Sequence, residues 1–315
     1  MNHQEVLLKI IRKKLAPELS LIDEIATVLE ISYDAAHRRV TLKSKFSMEE
    51  AIALCKQYKV SMDAVYDRQD KIVVSKSKNL TSMADMPQYF DFALEKISVY
   101  AKDNYEFYYL AKDIPFFYTL DFSLLAKFKM YAWKHLLFDD YQASKFEDFA
   151  FNQSLFAASL ALKEKYEKAN IFEIWNESTL NSTLQQLDTF FETGLIQLKN
   201  ALNILDDLLA LLQRIEDKCI KNEGSFHFYI NDMLILDNTI MVKNEKKSIA
   251  FIPFNMIRYF AVEDEISNAQ TFSFIQNQLF HSKCLNTAGV RDRNTFFLQL
   301  KNRIERYKMK FELAQ

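Results

Sequence analysis

Glycine and proline are almost missing, with 3 and 4 copies in 315 residues. So few backbone breakers favour long helices and leave no glycine loop to cradle a phosphate; neither GxGxxG nor a P-loop pattern occurs. Cysteine is as scarce. Cys55, Cys219 and Cys284 stand alone without CxxC spacing, which points to core packing in a reducing compartment. The 5 histidines, His3, His37, His135, His227 and His281, show no HExxH or other ligand spacing, and no GxSxG is present. The expectation is therefore no catalysis, no metal and no cofactor. No apolar run approaches the ~18 residues that span a bilayer. The opening Met1-Asn-His-Gln-Glu-Val6 lacks the charged and apolar regions of a signal peptide. A soluble, cytoplasmic chain without membrane partners is expected. Excess charge is lacking too: a net −2 gives no general attraction to nucleic acid.

What the chain does have is 49% hydrophobic residues, 14% aromatics and the length of two or three domains. Residues 20–66 carry the clearest local grammar. Ser20 and Asp23 make a capping pattern ahead of Leu21, Ile25, Val28 and Leu29 on one helical face. Ala26 is small where a second helix would cross. Leu29-Glu30-Ile31 reads as a turn, and Ser32 as the N-cap of a third helix that buries Ala36 and Val40. Ser47 and Glu50 form a second capping box, opening a helix with Ala51, Ile52, Leu54 and Cys55; Ser61 starts a fifth short helix that returns Val65 to the core.

This is helix-turn-helix spacing, and it predicts binding to double-stranded DNA. The third helix would lie in the major groove and offer its N-terminal side chains to base edges. Ser32, Tyr33, Asp34, Ala35, His37, Arg38 and Arg39 fall on its outer or flanking faces. Arg38 can read guanine bidentately, with Tyr33, Asp34 and His37 beside it. Lys43 and Lys45 follow in the loop, where phosphate contacts usually fall. Residues 1–66 hold ten Lys or Arg against nine Asp or Glu, so attraction must come from a local basic face.

Ala26, Ile31, Ser32, Ala36 and Lys59-Val60-Ser61-Met62-Asp63 fall where regulators of the phage lambda repressor and Cro type have small, apolar and capping residues. The segment resembles that family's DNA-binding domain. Two positions depart from its pattern: Glu30 occupies the turn glycine, and Thr41-Leu42-Lys43 replaces a glycine after the third helix. A left-handed Glu30 costs ~1 kcal/mol relative to glycine. Over the full length, Ser32–Arg39, Ala111-Lys-Asp-Ile-Pro115 with Phe128-Lys129 and Trp133, and Gly289–Phe297 make the chain resemble a set of helix-turn-helix regulators common in Bacteroidetes.

The rest reads as mainly α. Residues 68–84 are expected to be a linker, in which Ile72-Val73-Val74 has the makings of a short strand; Pro87 fits the first turn of a helix reaching Leu110. Residues 85–222 would form a helical bundle. From Tyr100 to Phe138 stand 13 aromatics in 39 residues. They read as a core of large rings, with Tyr109, Asp113, Phe117 and Trp133 as a candidate ligand pocket. Residues 182–219 repeat in heptads (Leu184, Phe191, Leu198, Leu205, Leu212, Cys219; Leu187, Gly194, Ala201, Leu208, Ile215), and Leu195, Leu202 and Leu209 add a third row. That width suggests one face on the core and part of another on a second copy. Phe226–Ile230, Thr239–Lys243 and Ser248–Ile252 predict a small antiparallel sheet, and helices over 266–285 and 292–312 close the chain. Arg291-Asp292-Arg293-Asn294 reads as the cap of the last helix.

The domain expectation is thus 1–67 as a five-helix DNA-binding domain, 68–84 as linker, 85–222 as bundle, and 223–315 as sheet and helices packed on it. Function follows as a one-component transcriptional regulator, working as a homodimer and carrying a sensor for a small-molecule or peptide effector. Two rivals are a peptide-responsive regulator with a helical peptide-binding superhelix, and an interaction scaffold that has lost DNA binding. Against the first, residues 85–220 contain no ~34-residue repeat.

Overall fold

Four helices of the N-terminal unit start on a side chain that accepts a backbone N–H. In the computed structural model Asn2 opens α1 (His3–Lys14), Ser20 opens α2 (Leu21–Leu29), Ser32 opens α3 (Tyr33–Val40) and Ser47 opens α4 (Met48–Gln57). The structure describes residues 2–62, 65, 72–102, 104–138, 144–150, 154–222, 224–233 and 237–314, the side chains of 154–156 and 158 excepted. It divides into two compact units, Met1–Val73 and Val74–Gln315. In the first, Leu7, Leu8, Ile11, Ile25, Ala36, Leu54, Cys55 and Val60 are buried together. Met62 and Val65 are helical and Val65 packs on that core; Asp63 and residues 68–71, part of the expected fifth helix and linker, lie outside the described residues.

The second unit is α/β, which corrects the expectation of a mainly α fold and of an all-α bundle over 85–222. Its strands are β1 (Val74–Lys76), β2 (Glu106–Leu110), β3 (Asn170–Trp175), β4 (Phe226–Ile230), β5 (Ile240–Lys243), β6 (Ser248–Asn255), β7 (Arg258–Val262) and β8 (Lys283–Cys284). They form one eight-stranded mixed sheet in the order β1-β7-β6-β5-β2-β3-β4-β8. β2, β3 and β4 run parallel, and every other pairing is antiparallel. The crossovers hold α5 (Met86–Tyr100, before β2), α6 (Leu124–Leu137) and α7 (Ser154–Glu167) before β3, and α8 (Asn181–Glu192) and α9 (Leu198–Lys221) before β4. Then come α10 (Glu265–Phe280) and α11 (Val290–Leu313). Among the described residues no helix is long and apolar enough to cross a membrane. An eight-stranded sheet is also not the helical superhelix of the peptide-binding alternative.

Why the two central strands escape a periodicity reading is visible in their burial. Phe107 and Tyr109 point into the main core with Ile171 and Trp175, while Tyr108, Leu110 and Ile174 point into a second cluster covered by Phe272, Ile275 and Leu279 of α10. A strand apolar on both faces loses its period of two and reads like a stretch of buried helix. β1 falls inside the expected linker and pairs with β7. Truncating a fully buried ring such as Phe107 or Phe228 would cost ~3–5 kcal/mol.

The leucine-rich segment is two helices, not one. Gly194 at φ +70° closes α8, and α9 starts at Leu198. Leu184, Leu187, Ala201, Leu205, Leu208, Leu212 and Ile215 are buried, and the third row (Leu195, Leu202, Leu209) packs on the same core. The rows expected to reach a second copy pack on this core, with Phe191, Leu195, Leu198, Leu202 and Leu209 half-buried.

Two buried polar networks, centred on Lys129 and Glu173, stand out in this core. Lys129 of α6 donates to Asp113 Oδ2 (2.8 Å) and Thr183 Oγ1 (3.0 Å), and Thr183 donates to Asp113 Oδ1 (2.9 Å), which ties the exit of β2 to α6 and α8. Glu173 on β3 is fully buried and accepts from Tyr118 (2.6 Å), Tyr166 and Trp175 Nε1 (2.7 Å). Burial pushes its carboxyl above the ordinary value, against the pull of those three donors. From the ordinary value near 4.5 up to the raised native value, the folded chain keeps a proton that the unfolded chain has released. The resulting stability is complete below the unfolded value and lost as pH rises through the native one. Both tryptophans, Trp133 and Trp175, lie in this unit, so their fluorescence follows its unfolding alone. The urea midpoint should rise as pH is lowered from about 8 toward about 5 in the parent chain and do so less in Glu173→Gln. Parallel pH profiles would contradict this role for Glu173.

Candidate nucleic-acid interface

A left-handed residue makes the turn between α2 and α3. Glu30 has φ 53° and ψ 41°, and the N–H of Ile31 reaches back to the carbonyl of Ala26 at 3.1 Å. Backbone polarity at the end of α2 is thereby satisfied without glycine, at the steric cost of a Cβ in that region. Ser32 Oγ then accepts the N–H of Ala35 at 3.3 Å and starts α3. Ala36 is fully buried against the core, so the opposite side of this short helix faces out.

The outer side carries two i, i+4 pairs. Tyr33 is 54% exposed, and its ring stacks on half-buried His37, with centroids 6.4 Å apart. Asp34 and Arg38 are both exposed. Ser32 is exposed at the start of the helix, and Ala35 is half-buried. After α3 the chain turns sharply at Leu42 (φ 61°), the second place where glycine is replaced. The N–H groups of Lys43 (2.8 Å) and Ser44 (3.1 Å) both bond to the Arg38 carbonyl, which folds the loop against the end of α3. Lys43 and Lys45 are exposed there. Arg38, Lys43 and Lys45 form no ion pair among the described residues, so this edge is locally positive although the unit is nearly neutral.

Arg39 stands apart from the other expected DNA-binding residues. Its guanidinium meets Glu50 bidentately, Nε at 2.9 Å and Nη2 at 2.7 Å, and a third bond goes to the Ala35 carbonyl. Glu50 also accepts the Ser47 N–H and completes the capping box of α4. Its hydrogen bond with Arg39 holds the Glu50 carboxyl below the ordinary range. Arg39 is thus a strut between α3 and α4. Tyr58 supplies another, donating to Glu24 of α2 at 3.0 Å; burial, reinforced by that carboxylate, pushes its phenol up to about 12.

One positioning residue has no signal in the local pattern. Gln4 of α1 donates to the carbonyls of Arg39 (2.8 Å) and Ser44 (2.9 Å) and accepts the Phe46 N–H (3.0 Å). All three bonds span about forty residues and pin the loop that carries Lys43 and Lys45. The four residues of the expected ligand pocket do not gather around one space. Tyr109, Phe117 and Trp133 are packed in the core, and Asp113 is engaged by Lys129 and Thr183. Tyr109 meets Phe117 edge-on (6.2 Å), while Trp133 lies against Phe116 (6.3 Å). The motif Ala111–Pro115 with Lys129 therefore builds the end of β2. In the last motif, Phe296 and Phe297 are core, Arg293 donates to the Leu285 carbonyl, and Gly289 stands at the N-cap.

No family model, curated protein or solved structure matches this chain.

The strain at Glu30 is testable. Glycine removes ~1–2 kcal/mol of steric cost but frees the unfolded chain by ~0.4–1 kcal/mol. Glu30→Gly in residues 1–73 should therefore gain roughly 0.5–1 kcal/mol, a rise of several degrees in the thermal midpoint. An unchanged or lower midpoint would mean that the turn is not held left-handed.

Proposed function

We propose that the chain is a sequence-specific DNA-binding regulator whose α3 enters the major groove. The observation that carries this reading is the geometry of α2, the left-handed Glu30 and α3, which leaves Tyr33, Asp34, His37 and Arg38 outward with Lys43 and Lys45 in the adjoining loop. The resemblance to lambda repressor and Cro-type domains supports it from the sequence side. In this reading Arg38 meets a base edge, Lys43 and Lys45 meet phosphates, and the Ser32–Ala35 turn approaches the strand. Arg39 is left out, because its fork is spent on Glu50.

The larger unit would serve pairing and sensing. One short helix and its loop, with three cations outside any ion pair among the described residues, supply little affinity, and two copies on a palindrome make the second contact effectively intramolecular. With the leucine rows packed on the core, the surface that favours a homodimer is α10. No charge occurs from Ile266 to Phe280, and Ile266, Phe274 and Phe280 are exposed, so two such helices meet without like-charge repulsion. A regulator of this kind works beside the chromosome, and the three free cysteines fit a cytoplasmic setting.

Anisotropy titrations on a selected DNA site test the roles. Arg38→Ala should weaken that site by ~1–3 kcal/mol and leave random DNA nearly unaffected. Lys43→Ala should weaken both alike and lower the salt slope by about one. Unchanged affinity of Arg38→Ala for the site would take the outer face of α3 out of the interface.

A further inference from the structure

The larger unit contains a cavity of about 360 Å³ between the 3-10 turn Phe116–Thr119, α7 and α9. Its wall is aromatic. The rings of Phe117 and Tyr166 stack at 4.4 Å, nearly parallel, and Tyr118 meets Tyr166 edge-on at 6.1 Å. The hydroxyls of both tyrosines are turned away to Glu173, so what they offer the cavity is ring surface. Ile171, Leu211 and Ile215 complete the apolar lining.

The rim is charged and unbalanced. Lys163, Arg214 and Lys218 face Asp121 and Glu167. Asp121 is taken up by Lys163 at 3.5 Å and by Ser123. Arg214 and Lys218 lie one turn apart on α9 and form no salt bridge among the described residues; the Lys218 ammonium sits over the Phe226 ring at 5.1 Å, and its charge also acts on the buried Glu173. One carboxylate, Glu167, remains against two available cations.

We infer that this cavity binds a small organic anion: a carboxylate on an aromatic or aliphatic body, the body against Phe117 and Tyr166 and the carboxylate between Arg214 and Lys218. The volume suits a molecule of that class, since binding pockets run from about 300 Å³ upward. A guanidinium and an ammonium on one helix face supply charge-assisted bonds that an amide or amine of the same shape cannot accept. The inference stands on the larger unit alone and is independent of DNA binding.

The test uses the full chain and three probes, indole-3-acetate, 4-hydroxyphenylacetate and octanoate, each with its neutral amide and its amine. Thermal shift and calorimetry should find at least one carboxylate that binds and stabilises the chain, with its amine inactive. In the Arg214→Gln, Lys218→Gln double variant the affinity should fall about tenfold or more. Arg214 is exposed and Lys218 only half-buried, so the fold should tolerate both changes. The inference is overturned if no carboxylate binds, if amines bind as well as acids, or if the double variant binds as tightly as the parent.

Discussion

With Phe107 and Tyr109 facing one layer and Tyr108 and Leu110 the other, β2 has no side that tolerates water, and β3 beside it is in the same position. That double-sided burial dictates the architecture around it. Parallel neighbours need crossovers, so α6 to α9 are spent on covering one face, and α10 covers the other. The leucine rows of α8 and α9 pack into the same core, against α6 and α11 as well as the sheet. Glu173 sits on the helical side of β3, where only the two tyrosines and the Trp175 indole make a carboxyl tolerable. Holding those hydroxyls inward is also what leaves ring faces lining the cavity beneath Arg214 and Lys218.

In the smaller unit one carboxylate has a comparable reach. Glu50 closes the cap of α4 and grips Arg39 of α3, so the start of one helix fixes the end of another. Gln4 adds the first helix to the same frame by holding the loop after α3. In the proposed DNA-binding role, such struts would present Arg38 and Lys43 from a braced backbone, which keeps the entropy lost on contact small. The two left-handed residues, Glu30 and Leu42, are the strain this short packing carries.

The sequence was most legible where structure is local. Ser20, Ser32, Ser47 and Glu50 cap helices through bonds to residues three positions away, so their pattern reads directly as helix starts. The turn at Glu30 is equally local, since the half-buried Ile31 and the cap at Ser32 leave one residue to reverse the chain. β2 and β3 were illegible because their partners lie more than fifty residues away and both of their faces are apolar. Arg39 looked like its neighbour Arg38 in the sequence, and only the approach of Glu50 separates them. The cavity could not have been read at all: Phe117, Tyr166, Arg214 and Lys218 come together through the crossovers, without a shared motif.

Sequencing the DNA retained by the full-length chain from a random pool tests the central claim, sequence-specific recognition by α3, most directly. The predicted result is an enriched palindrome whose half-sites lie about 10–10.5 base pairs apart, or a multiple of that spacing, and which is lost with Arg38→Ala. A pool that stays random, or an enrichment that survives Arg38→Ala unchanged, would contradict recognition by α3 and leave the N-terminal unit as a protein-interaction domain.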